Sequence, residues 1–211
     1  MFKKCLGLFV LLITTGQLYS QEIKYEKFGI DASSGIPEGL PVGQTAPDFR
    51  GKDDAGQVVS LKSLLQHGPV VLFFYRGEWC PVCKRYLKQY RDSLDLVVAQ
   101  GVSVVAVTPE TAANIEKTRQ KTGFRFTVVS DPDRKIMTDY DVLFHVTDKY
   151  RNKIKLVFRE DIAEVNGDSD AWLPVPATYI ISRKGYITAR YFNPDYRDRS
   201  PVRWMLDHLP D

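Results

Sequence analysis

Residues 69–75 (PVVLFFY) form an unbroken apolar run of β-branched and aromatic side chains. A run that short and that uniformly apolar reads as a strand buried on both faces, since a half-exposed strand would alternate. Covering both faces of such a strand takes helices, and the pattern that follows supplies them. Tyr86, Tyr90, Leu94 and Val98 recur every four residues, joined by Leu87 and Val97, and Gly101 marks the stop. A second buried strand is expected over 102–107, then a helix opening at Thr108-Pro109-Glu110 with proline in its first turn. A third strand at 126–129 is followed by another helix opening at Asp131-Pro132-Asp133. A fourth strand at 177–181 turns at Lys184-Gly185 into a hairpin partner at 186–191, and Trp204, Met205 and Leu209 fit a terminal helix. Residues 58–61 give one more short strand, preceded by a turn at 53–56. This order predicts an α/β fold with a central mixed β-sheet flanked by helices. In such sheets chemistry sits at the carboxyl ends of the strands, and Cys80 follows shortly after Tyr75, which ends the first buried strand.

The chain has 211 residues, 44% hydrophobic and 26% charged, which suits one globular domain with an appendage. Its net charge of +3 is interspersed, and two of the positive charges are Lys3 and Lys4. No concentrated basic field is present to neutralise phosphates, which excludes nucleic acid as the expected partner. Residues 1–20 have the layout of a secretory signal peptide: a basic start, an apolar run over 6–13 and a polar stretch over 14–20. Cleavage is expected after Ser20, with Gly16 as the alternative. The apolar run is far shorter than the ~20 residues of a membrane-spanning helix, so no stable membrane insertion is expected after cleavage. Residues 21–41 then read as a leader and 42–211 as the domain, in a protein exported to the periplasm or secreted.

Cleavage leaves Cys80 and Cys83 as the remaining cysteines. A pair this close in sequence cannot staple a large loop, so its entropic contribution to stability would be small and reactivity is the better reason for it. The thiolate is the reactive form. Cys80 is expected at the N-cap of a helix with Pro81 as its first residue, so unpaired N–H groups face the sulfur. Arg76, Lys84 and Arg85 add positive charge, and Glu78 opposes them. Structural zinc would need a second pair of ligands, and His67, His145 and His208 show no paired spacing.

At these residues the chain resembles the thioredoxin superfamily, and more closely its alkyl hydroperoxide reductase and thiol-specific antioxidant branch, with the peroxiredoxin-like members. Four stretches carry the likeness: residues 42–49 (VGQTAPDF), 74–83 (FYRGEWCPVC), 129–133 (VSDPD) and 173–180 (LPVPATYI). The resemblance implies a thioredoxin-like fold with an insertion, residues 143–172, before the fourth main strand. It implies Cys80 and Cys83 as the catalytic pair, supported by Trp79, Arg76, Pro81 and Pro176, with Pro176 as a cis-proline facing the cysteines and no cofactor or metal. The chain also departs from that branch. Peroxiredoxins carry Pro-x-x-x-Thr-x-x-Cys and a distant arginine; aligned on Cys83, Arg76 replaces the proline and Cys80 the threonine. The arginine would fall near Val175-Pro176, where none stands.

The expected function is a thiol oxidoreductase cycling a Cys80/Cys83 dithiol and disulfide. As a peroxiredoxin-like antioxidant it would reduce hydroperoxides with electrons from a thioredoxin-like dithiol, alignment then favouring Cys83 as the attacking sulfur. As a disulfide exchanger it would act on protein disulfides through Cys80. A third reading is a metal-binding or metallochaperone module, for which His145 is the candidate ligand.

Overall fold

The computed structural model describes residues 25–210, so the expected signal peptide lies outside the described residues. In chain order the elements are β1 (Arg50–Asp53), β2 (Val58–Ser60), α1 (Leu61–His67), β3 (Val70–Phe74), α2 (Pro81–Ser93), α3 (Asp95–Val98), β4 (Ser103–Thr108) and α4 (Ala112–Thr122). They continue with β5 (Thr127–Ser130), α5 (Lys135–Asp139), β6 (Leu143–His145), α6 (Asp148–Phe158), α7 (Ile162–Asn166), β7 (Trp172–Pro174), β8 (Thr178–Ile181), β9 (Ile187–Tyr191) and α8 (Val202–Asp207). None of the described helices is long and apolar enough to cross a membrane.

The main sheet runs β2-β1-β5-β4-β3-β8-β9. The pairs β3–β4 and β4–β5 are parallel, and β8, β9, β1 and β2 pair antiparallel, so the mixed sheet is as expected. Alternation along β3 explains its uniform hydrophobicity. Val71, Phe73 and Tyr75 enter one core with Leu87, Tyr90 and Leu94 of α2 and its end. Val70, Leu72 and Phe74 enter the opposite core with Leu61, Met137 and Tyr140. Phe73 meets Tyr90 and Phe124 edge-on, with ring centroids 5.2 and 6.0 Å away. Truncating such a side chain to alanine typically costs about 3–5 kcal/mol, and here it would loosen the strand and the helix that bracket the cysteines.

Several boundaries depart from expectation. Strand β1 is polar and gives no apolar signal; it forms because Gly51 allows Val129 of β5 to lie against its backbone, in the space a side chain would need. The helix expected to open at Thr108-Pro109-Glu110 begins instead at Ala112, with Thr111 at the N-cap. Glu110 is turned inward to accept the Glu78 N–H at 2.6 Å, which keeps that turn out of the helix. The helix after Cys80 ends at Ser93 and resumes at Asp95. Leu209 lies past the end of α8.

Residues 143–172 hold more than a loop. β6 and β7 pair antiparallel as a second, two-stranded sheet, with α6 and α7 between them in sequence. His145 sits there between two carboxylates, Asp31 of the leader at 3.2 Å and Asp170 at 3.0 Å. Their charges raise its pKa against the opposing effect of burial, and the histidine ties the leader to the insertion.

Candidate active site

The segment leaving β3 turns at Gly77, whose φ of +147° suits glycine. Cys80 then caps α2, with Pro81 as its first residue, as the sequence implied. The Cys80 Sγ accepts the Cys83 N–H at 3.3 Å, the bond expected of an N-cap side chain. Both thiols are reduced and buried, Cys80 at 1% exposure and Cys83 at 0%.

Each sulfur has its own arginine. Arg76 Nη2 donates to Cys80 Sγ at 3.2 Å and Nη1 to the Tyr150 hydroxyl at 2.9 Å. Its guanidinium, in a residue only 1% exposed, packs 3.5 Å from the centre of the Tyr196 ring, a cation–π contact strengthened by exclusion of water. Arg199 Nη2 donates to Cys83 Sγ at 3.3 Å, while its Nε donates to the Tyr196 carbonyl at 2.8 Å. Tyr196 and Arg199 lie on the connection from β9 to α8. Tyr191 and Asn193 both donate to Asp198 at 2.7 Å, and Tyr90 donates to the Ser200 carbonyl at 2.7 Å, so this connection is hydrogen-bonded as a unit.

The two thiols are driven apart. Burial, reinforced by hydrogen bonding with Cys83 and by its charge, pushes Cys80 well above the ordinary thiol value. Burial also opposes ionisation of Cys83, but the Cys80 hydrogen bond and the charges of Arg199 and Arg76 prevail and hold it well below that value. The two thiols share their hydrogen bonds and titrate as a pair, with ionisation favoured on the Cys83 side. Glu78 does not counter this as its position in sequence suggested, because Lys84 and Lys121 bind one of its oxygens at 3.1 and 2.8 Å. Glu110 is raised to about 7, mainly by burial and further by the Cys83 charge, against the lowering effect of the Glu78 N–H.

Arg76, Trp79, Cys80, Pro81 and Cys83 lie together where β3 leads into α2. Pro176 corrects the expectation: no cis peptide bond occurs among the described residues. Pro176 sits at the centre of a tight turn in which the Ala177 N–H bonds to the Val175 carbonyl at 2.7 Å, a turn for which proline's fixed φ is suited with a trans bond. The Ala177 carbonyl then accepts the Phe74 N–H at 2.9 Å, joining β8 to the end of β3. Sequence reading missed Arg199 and Tyr150, because sequence patterns report neighbours and these residues lie 116 and 74 positions from the groups they contact. A cavity of about 830 Å³ beside Asp131 and the turn at Asp53-Asp54 touches neither cysteine.

Residues 42–190 match the AhpC/TSA family. The chain belongs to that family. It is 29% identical over 163 residues to a chloroplastic peroxiredoxin Q of Triticum aestivum, a match covering 77% of this chain and 64% of that protein. A chloroplastic peroxiredoxin Q of Oryza sativa subsp. japonica is 31% identical over 100 residues, covering 47% of this chain and 46% of that one. The chain thus spans less than two thirds of the length of these relatives. Among solved structures, a peroxiredoxin-like protein from Aquifex aeolicus superposes with a TM-score of 0.62 at 17% identity, covering 82% of this chain and 87% of that one. That likeness carries the fold, a thioredoxin-like α/β domain, and the resemblance in sequence agrees with it.

Proposed function

We propose that this AhpC/TSA-family protein is an exported thiol peroxidase whose attacking sulfur is Cys83. The contact that supports this reading best is Arg199 on Cys83: a buried guanidinium there holds the thiolate and is placed to polarise a hydroperoxide, in a position that the family's distant arginine does not occupy in this chain. The segment before Cys80 adds donors. Arg76 Nε and Trp79 Nε1 are buried without hydrogen-bond partners among the described residues, donors that a bound peroxide or a water can use.

The Cys83 thiolate attacks one peroxide oxygen, the O–O bond breaks, and the second oxygen leaves as an alcohol or water once protonated. Cys83 becomes a sulfenic acid. The Cys80 sulfur then displaces that hydroxyl, which leaves as water with the Cys80 proton, and a Cys80–Cys83 disulfide forms. An external thioredoxin-like dithiol reduces it, becoming a disulfide in turn. The exchange reading, with Cys80 attacking protein disulfides, draws support from the helix cap, which gives Cys80 a second N–H donor; electrostatics favour Cys83, whose pKa is lowered while that of Cys80 is raised.

The test uses a Cys80→Ser protein mixed with one equivalent of hydrogen peroxide and a sulfenate-trapping dione. Adduct on Cys83, formed much faster than on free cysteine, is the expected result. Oxidation at the rate of free cysteine, or equal reactivity after Cys83→Ser, would overturn it. Export is tested by fractionation: full-length chain in the cytosol would sink that part.

A further inference from the structure

Beside the cysteine pair, along the exposed side of α2, lies an open groove of about 640 Å³ lined by Pro81, Lys84, Arg85, Lys88 and Lys121, with Asp92 as its carboxylate. The charges are placed against the helix's own preferences. Cations at a helix N-terminus oppose its dipole, yet Lys84 and Arg85 stand near that end and the first turn of α2 has no acidic residue. Lys84 and Lys88 are also a like-charge pair four residues apart, an arrangement that destabilises a helix.

Local partners do not neutralise them. Lys84 and Lys121 share one oxygen of Glu78, and Asp92 is held by Arg91 at 2.6 Å. Arg85 and Lys88 are exposed and form no ion pair among the described residues. The surplus is local, because charges elsewhere are interspersed. The groove reaches Pro81, next to Cys80, so a molecule docked there lies on the Cys80 side of the disulfide.

We propose that this groove docks the acidic face of the protein dithiol that reduces the Cys80–Cys83 disulfide. The inference rests on the peroxidase reading, of which that disulfide is the product. In the docked pair a partner thiolate attacks Cys80 Sγ, the Cys80–Cys83 bond breaks, and Cys83 leaves as the thiolate beside Arg199. The partner's second thiolate, having given up its proton to solvent, attacks the partner sulfur of the mixed disulfide and releases Cys80, which takes up a proton. The partner leaves oxidised by two electrons. Cationic docking surfaces act chiefly on encounter rates, and their effect falls as salt rises.

The disulfide form, made either with hydrogen peroxide or with a small-molecule disulfide oxidant, is mixed with reduced bacterial thioredoxin of net negative charge, and separately with neutral dithiothreitol. Arg85→Glu/Lys88→Glu should slow reduction by thioredoxin about tenfold or more at low salt. Arg85→Gln/Lys88→Gln should slow it less, and added salt should slow the wild type but not the reversed variant. Reduction by dithiothreitol should stay within about twofold for both variants. Unchanged thioredoxin kinetics, salt independence of the wild type, or an equal loss with dithiothreitol would overturn the proposal. Because the disulfide can be made without peroxide, failure of the peroxidase reading shows separately, in the oxidation step.

Discussion

Replacing Arg199 with methionine removes the donor on Cys83 while keeping a long apolar stem in the buried position. A hydrogen bond to a charged group contributes about 1.5–3 kcal/mol. Loss of that stabilisation raises the Cys83 pKa, weakening its ionisation roughly ten- to a hundredfold at 1.36 kcal/mol per factor of ten. Arg76 stays in place, so the effect is a shift and not a return to an ordinary thiol in an apolar core. Ultraviolet absorbance of the thiolate, followed against pH in a Cys80→Ser background, reads the midpoint directly. The peroxide reaction, followed by Trp79 fluorescence in the protein with both cysteines, should lose most rate at acidic pH, where the thiolate fraction falls. At alkaline pH the loss should be smaller, since nucleophilicity rises with thiol pKa with a slope of about 0.4–0.5. Arg199→Lys, which restores charge without the planar fork, should recover part of the shift. An unmoved midpoint, or a rate loss independent of pH, would refute the assignment of Arg199 to thiolate stabilisation.

Glu110 makes stability depend on pH. Its folded pKa of about 7 lies above the 4.5 of an ordinary glutamate, so the native state binds more protons between those values. Stability is fully present below about pH 4.5 and declines until about pH 7; the Glu110→Gln protein should lack that decline, and parallel urea midpoints for the two proteins at pH 5 and pH 8 would contradict it. Gly77→Ala would place a methyl carbon 2.7 Å from Trp79 Nε1 at a φ of +147°, and strain of that kind costs about 1–3 kcal/mol. A fall in the denaturation midpoint with altered Trp79 fluorescence is expected, and an unchanged midpoint would count against the strain. Tyr150→Phe removes one anchor of Arg76 and should slow the resolving step at Cys80 more than the first oxidation at Cys83, in rapid-mixing experiments that separate the two; equal slowing would refute this division.

Local chemistry in this chain was legible and remote chemistry was not. The apolar run of β3, the Cys80 cap and Pro81 at the helix start could be read directly because each is decided within a few residues. Strand β1 could not, since its place depends on a missing side chain at Gly51 that lets Val129 approach. The helix expected at Thr108 was misplaced because Glu110 is held inward by a backbone N–H from another turn. At the site, Arg76 was readable from its nearness to Cys80, whereas Arg199 was not. Residues near Val175-Pro176 carry no arginine, and the guanidinium arrives from a connection whose shape is set by Asp198 and Ser200. Pro176 was misread because proline's fixed φ serves a tight trans turn equally well.

The 116 positions between Cys83 and Arg199 also set an order in time. At synthesis rates of about 5–20 residues per second, Arg199 follows Cys83 by roughly 6–23 seconds. Through that interval one of the two guanidinium groups that favour ionisation of Cys83 has not yet been made. Under the proposed mechanism, activation of Cys83 thus waits on the last part of the fold to be made.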